Sequence, residues 1–314
     1  MKGKIMMGTF KKATALFAAL TLSVGLSACN RGGEEAGDGK VLLALSTQTN
    51  PFFVQLRDGA QAKADELGIE LEIQDASDDA ATQVNQLNNA ATTGADVVIV
   101  NPTDSDAVSP AVKQLNDAQI PVVAVDRGVN DAEVASFVSS DNVAGGKQAA
   151  DEVASAIDEK GSVLVLQGIP GSSASRDRGT GFDEGLGSYP DIKVAAKQTA
   201  GFDRAKALDV TTNLLQANPD VKAIFAENDE MALGAIEALG DRTDEIAVVG
   251  FDGTEDGIAA IEDGSMTATI AQQPAELGAL AVEQAKAILD GEEPESEVPV
   301  EVVNVTKENV GDFQ

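Results

Sequence analysis

The sequence predicts an α/β protein made of two doubly wound parallel sheets. Three observations carry this. Short β-rich runs recur along the body of the chain. Most successive runs are separated by a stretch with apolar residues at three- and four-residue spacing, the period of a helix lying on a core. There are more runs than one open sheet of ordinary size takes up, so roughly five or six strands in each of two sheets is the natural division. Alternating strand and helix is the pattern of parallel strands covered by helices on both faces.

In chain order the runs are Val41–Leu45, Ile69–Ile73, Val97–Val100, Val122–Val125, Val134–Val138, Val163–Leu166, Ile192–Ala196, Ala223–Phe225, Ala247–Val249, Thr267–Ile270 and Val298–Val303. Between the first two, Val54, Leu56, Ala60 and Ala64 form a stripe leading to Leu67. Leu208, Val210, Leu214 and Leu215 form another, and Ile258, Ala259 and Ile261 a shorter one. These stripes are core packing and carry no chemistry. Asn50 before Pro51 reads as a cap followed by proline at the first helical position. Asn228 opens another helix ahead of Met231, Ala232 and Leu233.

Composition excludes several functions. The chain of 314 residues is long enough for two cores, with 43% hydrophobic residues. It has no His, which removes serine–histidine hydrolysis, cysteine–histidine proteolysis and His-ligated metals. A single Cys excludes an internal disulfide. A formal charge of −30 repels phosphate backbones, so no nucleic-acid partner is expected. No catalytic residue, metal or cofactor is assigned. Gly179, Gly181 and Gly185 lack dinucleotide-fingerprint spacing. Asp252, Thr254, Asp256, Gly257 and Asp263 only partly imitate a calcium loop.

The first residues address the compartment. Lys2, Lys4, Lys11 and Lys12 precede the apolar run from Ala13 to Val24, which is too short to span a membrane. Leu26-Ser27-Ala28-Cys29 resembles the bacterial lipobox, which implies cleavage after residue 28 and lipidation of Cys29. Residues 29–39 then form a polar, glycine-rich tether. The expectation is export, with a lipid anchor at the outer face of the cytoplasmic membrane or in the periplasm.

Ligands of doubly wound sheets bind beyond the carboxyl ends of the strands, and there this sequence is specific. The ends carry Ser46 and Asn50 with Phe52 and Phe53; Asn101; Asp126 and Arg127; Arg178 after Gln167-Gly168; Phe202; Asn228 after Glu227; Phe251 and Asp252; and Gln272. Any one such Asp or Asn could be only a helix cap, and any one Phe only core. Their repetition at strand end after strand end suits a small polyol, whose C–H faces take aromatic rings and whose hydroxyls take Asp, Arg, Asn and Gln. Asp126 and Asp252, each beside a cationic or amide neighbour, are expected to stay ionised. Affinity is therefore expected to be flat from about pH 5 to 8.

Several strings then carry a resemblance: Asn101-Pro102-Thr103-Asp104-Ser105-Asp106, Asp126-Arg127, Arg176-Asp177-Arg178-Gly179, Phe202-Asp203-Arg204, and Asn228 through Ala235. In this order they resemble the type I periplasmic binding proteins of bacteria, within their sugar-binding branch, from about Lys40 to near the end of the chain; Gln48 and Thr49 depart from that family's first loop. The resemblance implies two lobes joined by a three-segment hinge, the N-terminal lobe from 40–140 plus 273–299 and the C-terminal lobe from 141–272 plus 300–314. It implies capture of a monosaccharide, ribose before allose or xylose, by hinge closure, and delivery to the permease of an ABC importer, or presentation of the closed form to a receptor. The protein would be a monomer, touching the membrane only through its anchor. By the same resemblance Phe52 covers one sugar face, and Phe202, with Phe53 and Phe251 nearby, covers the other. Asn50, Asp126, Arg127, Arg178, Asn228, Asp252 and Gln272 take the hydroxyls and ring oxygen, while Ser46 and Asn101 shape the wall of the first lobe.

Overall fold

The structure is a computed structural model that describes residues 39–313. The signal sequence, Cys29 and the tether short of Gly39 lie outside the described residues. Among the described residues there are twelve strands, nine α-helices and two short 3-10 turns.

The first half of the chain runs β1 (Lys40–Leu45), α1 (Pro51–Leu67), β2 (Glu70–Asp75), α2 (Ala80–Thr93), β3 (Val97–Val100), α3 (Ser109–Asp117), β4 (Val122–Val125) and β5 (Ser136–Ser140). It continues with α4 (Asn142–Ala156), β6 (Gly161–Gln167), α5 (Ser173–Leu186), β7 (Ile192–Thr199), α6 (Arg204–Ala217), β8 (Ala223–Ala226), α7 (Asp229–Leu239), β9 (Ala247–Asp252), α8 (Glu255–Asp263) and β10 (Ala268–Ala271). The tail adds α9 (Pro274–Leu289), β11 (Glu297–Val300) and β12 (Val303–Thr306).

Two six-stranded sheets result, in the orders β11-β5-β4-β3-β1-β2 and β12-β10-β9-β8-β6-β7. Every pairing is parallel except β10 with β12. The chain passes between the sheets after β5, after β10 and between β11 and β12. The last β-rich run of the sequence is thus two strands in two different sheets, separated only by Glu301 and Val302. The fifth run begins at Ser136 rather than Val134.

Each sheet is packed on both faces. Val41, Leu43 and Leu45 meet α1 and α9, while Leu42 and Ala44 of the same strand meet α2 and α3. Val163 and Val165 meet α4 and α5, while Leu164 and Leu166 meet α6 and α7. The period of two along these strands is what divides the core. The helical stripes are slightly displaced from the sequence reading. On α6 Ala207 and Thr211 are buried with Leu214 and Leu215, and Leu208 and Val210 are only half-buried. On α8 Ala260 is buried and Ala259 exposed.

Two helix pairs approach closely through glycine. A Cβ on Gly59 of α1 would strike the Ala275 carbonyl of α9, and one on Gly278 would strike that of Leu56. In the other lobe Gly146 of α4 and Gly181 of α5 play the same part against Arg178 and Val143. The helices that carry Phe52, Phe53 and Arg178 are therefore seated on rigid partners. No helix of the described residues is long and apolar enough to cross a membrane.

Candidate functional site

The carboxyl ends of both sheets face one small cavity, lined by Asn50, Phe52, Phe53, Asp126, Arg127, Ala174, Arg178, Phe202, Asn228, Asp252 and Gln272. Asn50, Phe52, Phe53, Asp126 and Arg127 come from segments that follow β1 and β4. Ala174 and Arg178 lie on α5, Phe202 follows β7, Asn228 follows β8, Asp252 ends β9 and Gln272 follows β10. Ten of the thirteen residues singled out in the sequence therefore line one space, with Ala174 as an addition.

The cap and ligand readings of the asparagines turn out not to be alternatives. Asn50 Oδ1 accepts the Phe52 N–H at 2.9 Å and caps α1. Asn228 Oδ1 accepts the Met231 N–H at 2.9 Å and caps α7, which leaves its Nδ2 buried without a partner. A capping Asn has a fixed rotamer, so its amide donor is presented in a fixed direction.

Three cavity residues hold positive φ: Asp126 at 63°, Phe202 at 61° and Asp252 at 126°. Asp tolerates this region, but Phe gains nothing locally from it. Such conformations cost about 1–3 kcal/mol each and persist where the surroundings impose them.

The charges are arranged in loose pairs. Arg127 Nε lies 3.5 Å from Asp126 Oδ2, and Arg178 Nη1 lies 3.5 Å from Asp252 Oδ1. Shorter bonds engage the same atoms of three of these partners. Asn101 Nδ2 donates to Asp126 Oδ2 at 3.1 Å, and Gln272 Nε2 donates to Asp252 Oδ1 at 2.7 Å. Arg178 Nε donates to Asn142 Oδ1 at 2.8 Å and its Nη1 to the Glu227 carbonyl at 2.6 Å. Asp126 Oδ1, Arg127 Nε and Gln272 Oε1 are buried without hydrogen-bond partners. Both guanidiniums also lie over aromatic rings, Arg127 at 5.0 Å from Phe53 and 5.4 Å from Phe202, and Arg178 at 3.9 Å from Phe251.

Burial is the largest influence on Asp126 and Asp252 and pushes both carboxyls up, while Arg127 and Arg178 oppose it. The cationic and amide neighbours expected to keep these groups ionised do act in that direction, but desolvation, which disfavours the ionised form, outweighs them. Two further carboxyls stand behind the cavity. Glu227 is pushed up to about 7 by burial. Asp229 is raised by the same cause and is held by the Thr254 N–H at 2.8 Å and the Thr269 hydroxyl at 2.7 Å. A flat response near neutral pH does not follow from such a set.

Three expected site residues do not line the cavity. Ser46 Oγ donates to Asn101 Oδ1 at 2.7 Å, and Asn101 turns its amide to Asp126 and the Val125 carbonyl, so both are consumed in holding Asp126. Phe251 points into the core beneath α4 and α5 and meets only the underside of Arg178. Phe53 lines the cavity, but from the first lobe. It packs edge-on to Phe52, with centroids 5.1 Å apart at 87°, and shares the Arg127 guanidinium with Phe202 of the other lobe. The calcium-like string disperses: Asp252 faces the cavity, Asp256 binds Arg204 at 2.8 Å and Asp263 accepts from the Ser265 N–H.

The two lobes touch beside the cavity. The Ser105 N–H donates to the Gly171 carbonyl at 2.9 Å, and the Gly128 N–H to Ser173 Oγ at 2.8 Å. Gly171 lies so close to the Asp104 carboxylate that a Cβ would collide with it.

Two parallel sheets exchanging segments at three crossings, with polar and aromatic residues converging between them, define a two-lobed binding protein. The chain belongs to the periplasmic binding protein domain family, whose model matches residues 41–293. It is 45% identical over 292 residues to the ribose import binding protein of Haemophilus influenzae, covering 93% of this chain and 98% of that one. Among solved structures it resembles a periplasmic solute binding protein of Actinobacillus succinogenes with bound D-allose, at 34% identity and TM-score 0.82, covering 87% of this chain and 99% of that one. The myo-inositol binding protein of Caulobacter is similar at 33% identity and TM-score 0.83, covering 87% and 96%.

Proposed function

We propose that the protein binds a monosaccharide, D-ribose foremost, between its lobes and delivers it to the permease of an ABC-type importer. The observation that carries this is the convergence on one small cavity of aromatic faces from both lobes with buried, unpaired donors and acceptors. Phe52 covers one face of the ring and Phe202 the other. Asn50, Asp126, Arg127, Arg178, Asn228, Asp252 and Gln272 take the hydroxyls and ring oxygen. Asp and Arg are present in equal number, which suits a neutral ligand. The ribose import relative at 45% identity supports the choice of sugar and of partner.

A larger polyol is the second reading, favoured by the D-allose and myo-inositol bound in similar structures. Export and lipidation at Cys29 rest on the sequence alone and complete the proposal. Thermal unfolding of the chain from Lys40 onward against a sugar panel tests it. Ligand at 100 times its dissociation constant stabilises by ~2.7 kcal/mol. A shift with ribose alone supports the first reading, a shift with a hexose or inositol the second, and no shift with any sugar sinks both.

A further inference from the structure

Glu227 is completely buried at the end of β8, directly before Asn228, yet it does not line the cavity. Its Oε2 accepts the Gly168 N–H at 2.7 Å and the Ser175 hydroxyl. Gly168 follows β6 and Ser175 lies in the first turn of α5, so one carboxyl group ties together three segments around the cavity. Its carbonyl holds Arg178 Nη1. Its Oε1 is buried without a hydrogen-bond partner, and a Cβ on Gly179 would come within 3.1 Å of it. The charged groups that face it are Arg178 of α5 and Lys197 of β7, and Lys197 is itself bound to Asp183 at 2.6 Å.

We propose that Glu227 is a positioning residue for the ligand, keeping Arg178 directed at Asp252 and the cavity while it is protonated and drawing Arg178 away once it ionises. This rests on the sugar-binding reading above. A neutral carboxyl leaves no uncompensated charge on Oε1 and competes with nothing for the guanidinium. An ionised one places a second anionic group beside Arg178, whose contact with Asp252 is already loose at 3.5 Å. Burial brings this change to about neutral pH, against the opposing bonds from Ser175 and Gly168.

Glu227→Gln keeps the volume and an accepting oxygen but cannot ionise. Calorimetric titration with ribose from about pH 6 to 8 is expected to show the unmodified protein losing about threefold or more in affinity while E227Q stays flat. Coincident profiles overturn the proposal. Ser175→Ala is a second variant, since removing that donor raises the carboxyl further and moves the native profile to higher pH; an unmoved profile also overturns it. Melting temperatures of the ligand-free proteins across the same range separate the two readings. If E227Q removes a pH dependence there and no sugar binds either protein, the sugar reading fails and the titration of Glu227 stands. If the melting curves run parallel, Glu227 does not titrate in this range and the proposal falls whatever sugar is bound.

Discussion

Arg178 and Asp252 face one another at 3.5 Å with both side chains 4% exposed, an ion pair too long for a good hydrogen bond and too buried for water to relax. Each is held more tightly by other partners, Arg178 by Asn142 and the Glu227 carbonyl, Asp252 by Gln272. A third molecule placed between them can bond to both. Removing one member leaves a buried charge without compensation, which costs about 3–5 kcal/mol. Asp252→Ala is expected to lower the stability of the ligand-free protein and abolish ribose binding. Replacing Arg178 and Asp252 together by Met and Leu should restore stability without restoring binding, as measured by urea unfolding and calorimetry.

Residues that do not line the cavity should also matter. Asn101 holds Asp126 Oδ2, and Ser46 holds Asn101. Asn101→Ala leaves one buried carboxylate oxygen unbonded, a loss of about 1–3 kcal/mol. Weaker sugar affinity in Asn101→Ala, and a smaller loss in Ser46→Ala, is the expected order by titration calorimetry.

Gly168 lies directly beneath the ring of Phe202, where a Cβ would overlap it. Gly168→Ala should push Phe202 from its place in the cavity wall and, if the proposed function holds, weaken sugar binding by about tenfold, with folding kept. In the Phe202→Ala background the same change should have almost no further effect on affinity, because the ring it displaces is gone.

Glu227 also sets a slope in stability. Its carboxyl sits at about 7 in the folded chain against an ordinary 4.5. A raised value means that the unfolded chain gives up this proton first, so its contribution is fully present below about pH 4.5 and is lost as pH rises through about 7. The loss is on the order of 3 kcal/mol. The difference in unfolding free energy between the unmodified protein and E227Q should therefore grow more unfavourable across that interval.

Much of this architecture is legible in the sequence because buried parallel strands are written as plain apolar runs. Val97–Val100 and Val122–Val125 are buried at every position. The site residues are legible for a related reason: a polar or aromatic residue straight after such a run has few places to be except the strand end. What escaped is what depends on the third dimension. Nothing local distinguishes Ser46 and Asn101, which support Asp126, from Asn50, which reaches the cavity. Phe251 was misread because the period of two at the end of β9 sends it to the opposite face from Asp252. Ala174 offers no chemical signal, and Glu227 was visible as a strand-end residue without any hint of its burial. The division of Val298–Val303 between two sheets has no local marker beyond Pro299, which an edge strand accepts, and only the resemblance puts a lobe boundary inside that run.

That division makes one short stretch answer for both sheets. Each sheet takes an edge strand from 297–306, β11 closing the first beside β5 and β12 closing the second beside β10. Only Glu301 and Val302 separate the two strands, so a pull on either edge is passed straight to the other, and the stretch acts as a single clasp on both sheets.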